Sequence, residues 1–521
     1  MRARLAALLF FASANAFAAL PGIVSERFEP NVVRADLPSA SLKLFIATTG
    51  EAAQYRIECN SGTNVLMTKL AGNRFSATIK ASDALHGYAA KPAGANGNFF
   101  GFLVPLNAAG QALTPKQQLT IRVFDSNVPN VPIADLLNKI RATRRVVNLP
   151  LGVETVVPAD NVTGRFYFFF GGDFYDFINV VFSNPSFVDN RHHESARADA
   201  KGIGKDAQPN DTKRYGSAGA LIGVNVFPIV DLFDGGNDAM AHELGHQWIN
   251  YVVKDGSPHW PPSTMARGLM GVSNPSLGNE GLEFPWEIVP DGAGWKFAGK
   301  PLLHRFADLD LYLMGLLPPD KVGVNRVVSG LKSAPCNGCP VNGTVQTLTI
   351  AQIVAANGPR VPSAASSKKK FRMATVVFST APLSDEEMLL FDYFAGRAEA
   401  KTELLDLYGF SNAPFFVATN GLGQLDTTLV WPAKFPMITG VTPAVLPKSG
   451  GTFLVNGSGF TADAKVFAQL AGPAIQVALP TKFVGSTQLQ ATIPAFAGRP
   501  TIFVRQASGQ VKLLKALASA N

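Results

Sequence analysis

The chain has 521 residues, of which 47% are hydrophobic and only 16% are charged, and its formal net charge is +8. This apolar composition excludes a disordered or fibrous protein, and the length exceeds what one core normally organises, so we expect about two to four domains. The basic residues are scattered, and their one run, residues 368–370, precedes a predicted strand over residues 373–378. The charge therefore does not indicate a nucleic-acid partner.

The first 18 residues have the features of a secretory signal peptide. Arg2 and Arg4 form a short basic start, residues 5–11 are an apolar run, and residues 16–18 read Ala-Phe-Ala, an A-x-A cleavage signature. The apolar run is shorter than the about 20 residues that span a bilayer, and no later segment reaches that length without Gly, Pro or a charge. We therefore expect a secreted protein, extracellular or periplasmic, with no integral membrane segment after signal cleavage.

Residues 19–135 are predicted to form an N-terminal β-sandwich domain. Short β-like runs, such as residues 42–47, 74–79 and 119–124, alternate with turns that contain Gly and Asn. Its one histidine, His86, is isolated and is predicted to lie on the surface.

Residues 136–432 mix strand and helix patterns. We predict a strand over residues 165–170, a helix over residues 173–182, and a helix over residues 388–398 that follows the capping-box pattern of residues 384–387. This α+β segment holds six of the seven histidines and is predicted to carry the chemistry.

One segment within it has the spacing of a metal-binding helix. Residues 237–248 read N-D-A-M-A-H-E-L-G-H-Q-W, which contains H-E-x-x-H, and we predict a helix from residue 237 or 238 to about residue 253. His242 and His246 then lie on one helix face, about 6 Å apart along the axis, so that both imidazoles can bind one zinc ion. Glu243 lies beside them as the candidate general base. The alternative is a pair of histidines that faces solvent or is satisfied within the core.

Three candidates compete for the third zinc ligand. His259 lies in a loop rich in Gly and Pro, which can fold back from the helix toward the metal. Glu280 is comparable with the glutamate ligand of gluzincins, although the Gly and Pro that follow it disfavour a helix. Asp308 or Asp310, in an apolar segment with a helical pattern, is the third option. We favour His259, because imidazole suits zinc and the prolines fix the direction of the loop.

Other residues have weaker indications of a role. Tyr312 is a candidate hydrogen-bond donor to an oxyanion, and a tyrosine at the edge of the core is the equal alternative. Residues 192–194 read His-His-Glu and offer ligands for a second ion, but a solvated loop is favoured. Cys336 and Cys339 form a C-x-x-C in an exported chain, which predicts a local disulfide.

Residues 433–521 return to a β pattern and resemble an IPT/TIG domain, an immunoglobulin-like sandwich. The resemblance rests on residues 436–443 (P-M-I-T-G-V-T-P), residues 449–460 with their repeated glycines, and residues 486–494 (S-T-Q-L-Q-A-T-I-P). It implies a module for binding, spacing or display, with a surface, glycan or protein ligand as its partner.

The helix at residues 242–248 resembles the active-site helix of zincin metallopeptidases. The sequence departs from the metzincin pattern, because Ile249 and Val252 occupy the positions of its Gly and third His. The chain is also similar to a set of exported bacterial metalloproteases that share H-E-L-G-H-x-W, a later His-Trp (here residues 259–260) and a D-L-Y-L-M-G-L-like segment (here residues 310–316). This resemblance covers roughly residues 160–320 plus the C-terminal module. It supports His259 as a ligand and implies a role near the site for the segment that begins at Asp310.

These features predict a multidomain protein in which an α+β zincin-like catalytic domain is flanked by N-terminal and C-terminal β-sandwich domains. The predicted function is an exported zinc-dependent peptidase, with Zn2+ bound by His242, His246 and His259, Glu243 as general base, and a protein or peptide as substrate. The rival prediction is a non-catalytic surface adhesion or binding protein with a relic or structural zinc site. A third option is an enzyme that acts on a glycan or another amide.

Overall fold

The computed structural model describes most of the chain outside its first 22 residues. The described residues are 23–35, 41–50, 52–89, 95–124, 130–150, 157–170, 172–183, 191–205, 209–229, 236–253, 258–271, 284–405, 411–433, 435–470, 476–514, 516, 518 and 519. The predicted signal peptide, residues 1–18, and the candidate ligand Glu280 lie outside them. The chain forms two compact units, one with Met1–Val131 and Leu383–Tyr393, the other with Pro132–Ser183, Phe187–Pro382 and Phe394–Asn521.

The first unit contains two β-sheets around one apolar core. Its strands are β1 Ile23–Glu29, β2 Val32–Arg34, β3 Leu42–Thr48, β4 Gln54–Cys59, β5 Asn64–Leu66, β6 Thr68–Lys69, β7 Arg74–Ile79, β8 Ala95–Leu106 and β9 Gln117–Phe124. One sheet has the order β1-β3-β7-β6, and the other has the order β2-β9-β8-β4-β5. Along β3 and β7 every second residue is buried, which is the pattern of a sheet with one face on a core. The predicted strands over residues 42–47, 74–79 and 119–124 are confirmed.

The second unit holds the remaining strands. They are β10 Ile133–Leu136, β11 Arg141–Ala142, β12 Val146–Pro150, β13 Phe177–Phe182, β14 His192–Ser195, β15 Gly223–Pro228, β16 Trp286–Asp291, β17 Gly294–Gly299, β18 Asn325–Ser329, β19 Thr344–Leu348, β20 Lys370–Ser379, β21 Leu404–Leu405, β22 Ser411–Asn412, β23 Gln424–Asp426, β24 Met437–Thr442, β25 Gly451–Ser458, β26 Lys465–Gln469, β27 Gln476–Ala478, β28 Thr481–Gly485, β29 Gln488–Ile493, β30 Thr501–Gln506 and β31 Gly509–Leu513.

Helices are fewer than strands in the described chain. The α-helices are α1 Ala81–Ala84, α2 Ala159–Phe170, α3 Gly236–Gly245, α4 Asp308–Leu313, α5 Ile350–Asn357, α6 Asp385–Arg397 and α7 Phe415–Ala418, and the 3-10 helices are Leu137–Lys139, Thr212–Tyr215 and Pro319–Lys321. None of the helices in the described part has the length and apolar character needed to cross a bilayer.

A large mixed sheet organises the second unit. Its strand order is β14-β15-β13-β20-β12-β11-β10-β31-β30-β26-β27. The strands β15, β13, β20 and β12 are parallel, and β14 is an antiparallel edge strand. All six residues of β13 and of β15 are buried, because parallel strands are covered on both faces.

The C-terminal strands belong to this same sheet. β10 pairs with β31, with Ala134 opposite Val511, and one apolar cluster includes both Val180 of β13 and Val504 of β30. A second C-terminal sheet has the order β24-β25-β29-β28. The predicted boundary at residue 432 therefore falls inside this compact unit, and the division into three domains stays a prediction.

Two sequence predictions in this unit were wrong. The predicted strand over residues 165–170 is the end of α2, and the predicted helix over residues 173–182 contains β13. In α2, Phe166 and Phe170 are one turn apart and stack at 5.6 Å between ring centroids. A buried strand and a buried helix can both have a short apolar sequence, so the pattern of residues 173–182 does not identify β13 as a strand.

Other local predictions are confirmed. The amide of Ser384 donates to Glu387 Oε2 at 2.8 Å, and the amide of Glu387 donates to Ser384 Oγ at 3.1 Å, which is the capping box expected before α6. Cys336 and Cys339 form a disulfide, and Cys59 is a buried free thiol.

Candidate metal centre

The H-E-x-x-H sequence forms helix α3, which packs against β14 and β15. The helix ends at Gly245, so the predicted continuation to residue 253 was wrong. The next three amides, those of residues 246–248, bond to carbonyls three residues earlier, which tightens the last turn. A Cβ at Gly245 would lie 2.5 Å from Met270 Sδ and 2.9 Å from the ring of Phe306. Glycine therefore lets these two side chains pack directly against the helix end.

Asp199 fixes the turn that follows the helix. Its Oδ1 accepts from Gln247 Nε2 at 3.0 Å, and its Oδ2 accepts from Trp248 Nε1 at 3.1 Å. Both acceptors of one carboxylate thus hold consecutive residues immediately after His246. After this turn, residues 258–260 lie next to α3, where His259 contacts His242.

Three histidine side chains converge beside α3. His242 Nε2 lies 3.1 Å from His246 Nε2 and 3.0 Å from His259 Nε2. One ligand atom from each residue lies within 4.8 Å of the other two, and each residue is half-buried. Two nitrogen ligands of a tetrahedral zinc ion, at ~2.0–2.1 Å from the metal, lie about 3.3 Å apart. The two Nε2–Nε2 distances around His242 are therefore close to those of a zinc site.

The hydrogen bonds at the other ring nitrogens define which atoms face the centre. His242 Nδ1 donates to the Leu269 carbonyl at 2.6 Å, and His246 Nδ1 makes a longer contact, 3.4 Å, with the Ile249 carbonyl. A carbonyl only accepts, so these assignments place the proton on Nδ1 and leave a lone pair on Nε2. Two lone pairs that face each other at about 3 Å repel unless a cation lies between them. The donor set therefore fits a bound metal ion.

Burial and charge keep the three imidazoles neutral. Burial, and then the charge of Arg191, lower the pKa of His242 to about 3 and that of His259 to about 4. Burial also holds the pKa of His246 well below its usual range. A neutral imidazole is the form that binds metals, so these rings need not lose a proton to become ligands at neutral pH.

A set of hydrogen bonds positions His259. The Asn250 amide donates to the Pro258 carbonyl at 3.1 Å, and the Asn250 side chain donates to the His259 carbonyl at 3.3 Å. On the other side, the Trp260 amide donates to the Met270 carbonyl at 3.0 Å. The backbone of residues 258–260 is thus bonded on both sides, which fixes the direction of the histidine.

The other candidate ligands are placed differently. Asp310 is fully buried, and its Oδ1 accepts from Trp260 Nε1 at 2.6 Å while its Oδ2 accepts from the Ala307 amide at 2.8 Å. Burial raises the pKa of Asp310 to about 7. Asp308 is exposed to solvent on α4. Asp310 therefore acts on the site through Trp260, the neighbour of His259, and neither aspartate joins the three histidines.

Tyr312 lies in a different set of contacts. It is buried, and its hydroxyl accepts from the Arg360 amide at 3.2 Å. This bond does not use the hydroxyl's own proton, and the role of Tyr312 as oxyanion donor stays a prediction.

Glu243, which follows His242 in the chain, is buried and forms an ion pair. Its Oε1 accepts from Arg191 Nε at 2.9 Å. Only 4% of the Glu243 side chain is exposed, whereas 33% of the Arg191 side chain is. Sequence analysis did not identify Arg191, because 52 residues separate it from Glu243 and no motif surrounds it.

The His-His-Glu sequence forms strand β14 rather than the expected loop. His192 is exposed and lies 3.3 Å from Glu194 Oε1. The two ring nitrogens of His193 lie 2.7 Å from Asn225 Oδ1 and 2.9 Å from Gln247 Oε1, and burial lowers its pKa to about 4. Both ring nitrogens of His193 have amide partners, so its contacts are those of a structural residue behind α3.

Replacing Asp310 with Ala is expected to weaken zinc binding by about 10- to 100-fold, the usual effect of losing a group that orients a ligand. The physical reason is that Trp260 loses its buried acceptor and His259 is less firmly positioned. Zinc affinity measured by competition with a chelator checks this. Asp308→Ala, on the exposed side of the same helix, is the matched control and should bind zinc like the unmodified protein. Equal affinities for the two variants would contradict the role given to Asp310.

Comparison with known proteins does not place the chain in a family. No protein-family model matches it, and no curated protein matches it. Similar solved structures include the extracellular region of plexin A4, at 8% identity and a TM-score of 0.15, over 95% of this chain and 48% of that one. The chain thus spans about half the length of that structure. A Ca2+-stabilised adhesin with which an Antarctic bacterium binds ice is similar at 10% identity and a TM-score of 0.15, over 95% of this chain and 74% of that one. Likenesses this low carry no argument about fold or function.

Proposed function

We propose that the protein is an exported zinc-dependent peptidase with a zincin-like catalytic domain. The observation that carries the proposal is the convergence of one ring nitrogen from each of three histidines, within 4.8 Å of one another, together with the buried Glu243 that follows His242 in the chain. The metal ligands are His242, His246 and His259. Imidazole nitrogens are common zinc ligands, and three protein ligands with an open fourth position are typical of catalytic rather than structural sites.

The chain's own residues supply positioning and proton transfer. Zinc bound there would act as a Lewis acid and lower the pKa of a water molecule. Glu243 is placed beside His242 to take a proton from the water that attacks a peptide carbonyl and to pass it to the leaving amine. The Leu269 carbonyl orients His242, and the bonds of Asn250 and Trp260 orient the segment that bears His259.

The substrate, the destination and the accessory module belong to the same proposal. The substrate is a protein or peptide, and the destination is extracellular or periplasmic, on the strength of the signal-peptide pattern. The C-terminal β-strands, which include the IPT/TIG-like sequence, are proposed to bind a surface, glycan or protein ligand.

Metal analysis combined with a digestion assay tests the proposal. The purified full-length protein is expected to contain about one zinc ion per chain. It should cleave casein or members of a peptide library, lose this activity on treatment with a chelator, and regain it when zinc is returned. Cleavage that survives the removal of zinc would contradict the metal mechanism. A zinc-loaded protein that cleaves no peptide would favour a structural zinc site in an adhesion protein, and cleavage confined to glycans or other amides would favour a different hydrolase.

A further inference from the structure

The Arg191 guanidinium beside the candidate centre has more donors than the described protein uses. An arginine side chain offers five N–H donors. Within the described residues one of them is used, the Nε–H that bonds Glu243 at 2.9 Å. The two terminal nitrogens, Nη1 and Nη2, are left for another acceptor, and one third of the side chain is open to solvent.

The Arg191 guanidinium is bonded to a residue of the proposed reaction centre. Its partner Glu243 is the proposed general base and adjoins the proposed ligand His242 in the chain. The charge of Arg191 also lowers the pKa of both His242 and His259, which fits its place beside Glu243. A group that binds to its terminal nitrogens would therefore lie beside the proposed general base.

The chemistry of the guanidinium determines which group that is. Its planar fork matches the two oxygens of a carboxylate, and such bidentate pairs are among the strongest hydrogen bonds in proteins. The bond through Nε to the nearly buried Glu243 fixes the orientation of the fork without occupying its outer edge. A neutral amide accepts through one oxygen only and brings no charge, so it is a weaker partner for the same fork.

We infer that Arg191 binds a carboxylate of the substrate next to the scissile bond, so that the enzyme selects peptides with a free C-terminal carboxylate or an acidic side chain at that position. The inference rests on the proposed peptidase function and names its substrate class. In this arrangement Glu243 both transfers the proton and holds the residue that recognises the substrate.

Matched peptides test the inference with the zinc-loaded full-length protein. The best-cleaved sequence from a peptide library is prepared as the free acid, as the C-terminal amide, and with any Asp or Glu near the cleaved bond changed to Asn or Gln. We expect kcat/KM to fall by about 10- to 100-fold when the recognised carboxylate is neutralised, as for the loss of a charged bidentate hydrogen bond. The peptide form that shows the fall identifies whether the carboxylate is terminal or in a side chain. Equal kcat/KM for all forms would overturn the inference.

Variants of Arg191 test whether this residue causes the preference for peptides with a carboxylate. In Arg191→Met the ratio of kcat/KM between the charged and the neutral peptide should fall to about 1, and Arg191→Lys, which keeps the charge but not the fork, should retain part of it. Arg165→Met, at an exposed position of α2, is the control and should keep the full ratio. An unchanged ratio in Arg191→Met would overturn the inference. Each result is a ratio of two kcat/KM values within one variant, so a lower overall activity of that variant does not change it. If a variant does not fold, the comparison of peptides on the unmodified protein decides the question.

The failure of this inference is distinguishable from the failure of the proposed function. Zinc-dependent hydrolysis without a preference for carboxylates would overturn the role of Arg191 alone. The absence of any zinc-dependent hydrolysis would overturn both.

Discussion

Replacing Glu243 with Gln is expected to leave zinc bound and to lower peptide hydrolysis by about 10²- to 10⁴-fold, the usual contribution of a general base. The amide has nearly the shape of the carboxylate and does not belong to the three converging histidines, so the metal site should persist. The amide of Gln cannot accept the proton of the attacking water, so the chemical step becomes slower. Zinc content by elemental analysis and kcat/KM on the best-cleaved peptide measure the two effects separately.

A glutamate in a comparable ion pair provides the control. Glu399 pairs with Arg145 at 3.2 Å, as Glu243 pairs with Arg191, but it does not adjoin the histidines. Glu399→Gln should therefore keep both zinc and activity. Full activity in Glu243→Gln would remove the general-base mechanism. Loss of zinc in the same variant would show that Glu243 holds the metal site together, which is a different role from the one proposed.

Replacing His259 with Ala is expected to weaken zinc binding by more than about 100-fold, because losing a ligand costs more than losing a group that only orients one. His242 and His246 would remain as a pair at the C-terminal end of α3, with no third protein ligand among the described residues. Zinc bound to the folded state stabilises it in proportion to its affinity, so added zinc should raise the Tm of the unmodified protein and should do so far less in the variant. Thermal unfolding with and without zinc measures this difference.

His86→Ala tests whether the effect is specific. His86 is exposed in the N-terminal unit, so this variant should show the same zinc-dependent rise in Tm as the unmodified protein. If His259→Ala instead bound zinc with unchanged affinity, the third ligand would be another residue. Glu280→Ala would then be the next variant to measure, because Glu280 was the remaining candidate from the sequence and lies outside the described residues.

Local sequence patterns predicted much of the first unit and the helix of the site. Alternating burial identified strands such as β3 and β7, because one face of each packs on a core. The same reasoning failed for β13 and for the end of α2. Both are short and apolar. In β13, burial on both faces removes the alternation that distinguishes a strand from a helix, and in α2 the run of aromatic residues has the composition of a strand.

Local sequence patterns predicted the strands of the C-terminal module but not the sheet in which they pair. The IPT/TIG-like sequence predicted β-structure after residue 433, and β24, β25 and β29 lie within it. The pairing of β10 with β31 joins residues that are more than 350 positions apart. Such a pairing arises from free backbone groups at a sheet edge, which carry no sequence signature.

By itself, the sequence determined that His242, Glu243 and His246 lie together, because a spacing of four residues on a helix fixes their relative positions. It also narrowed the third ligand to a few candidates. Only the tertiary structure decided that His259 adjoins them, that Asp310 acts through Trp260, and that Arg191 reaches Glu243. Each of these contacts joins residues 17 to 52 positions apart. Contacts at that separation depend on how the chain turns after Gly245 and on which strand forms the sheet edge, and neither is encoded in the residues that make the contact.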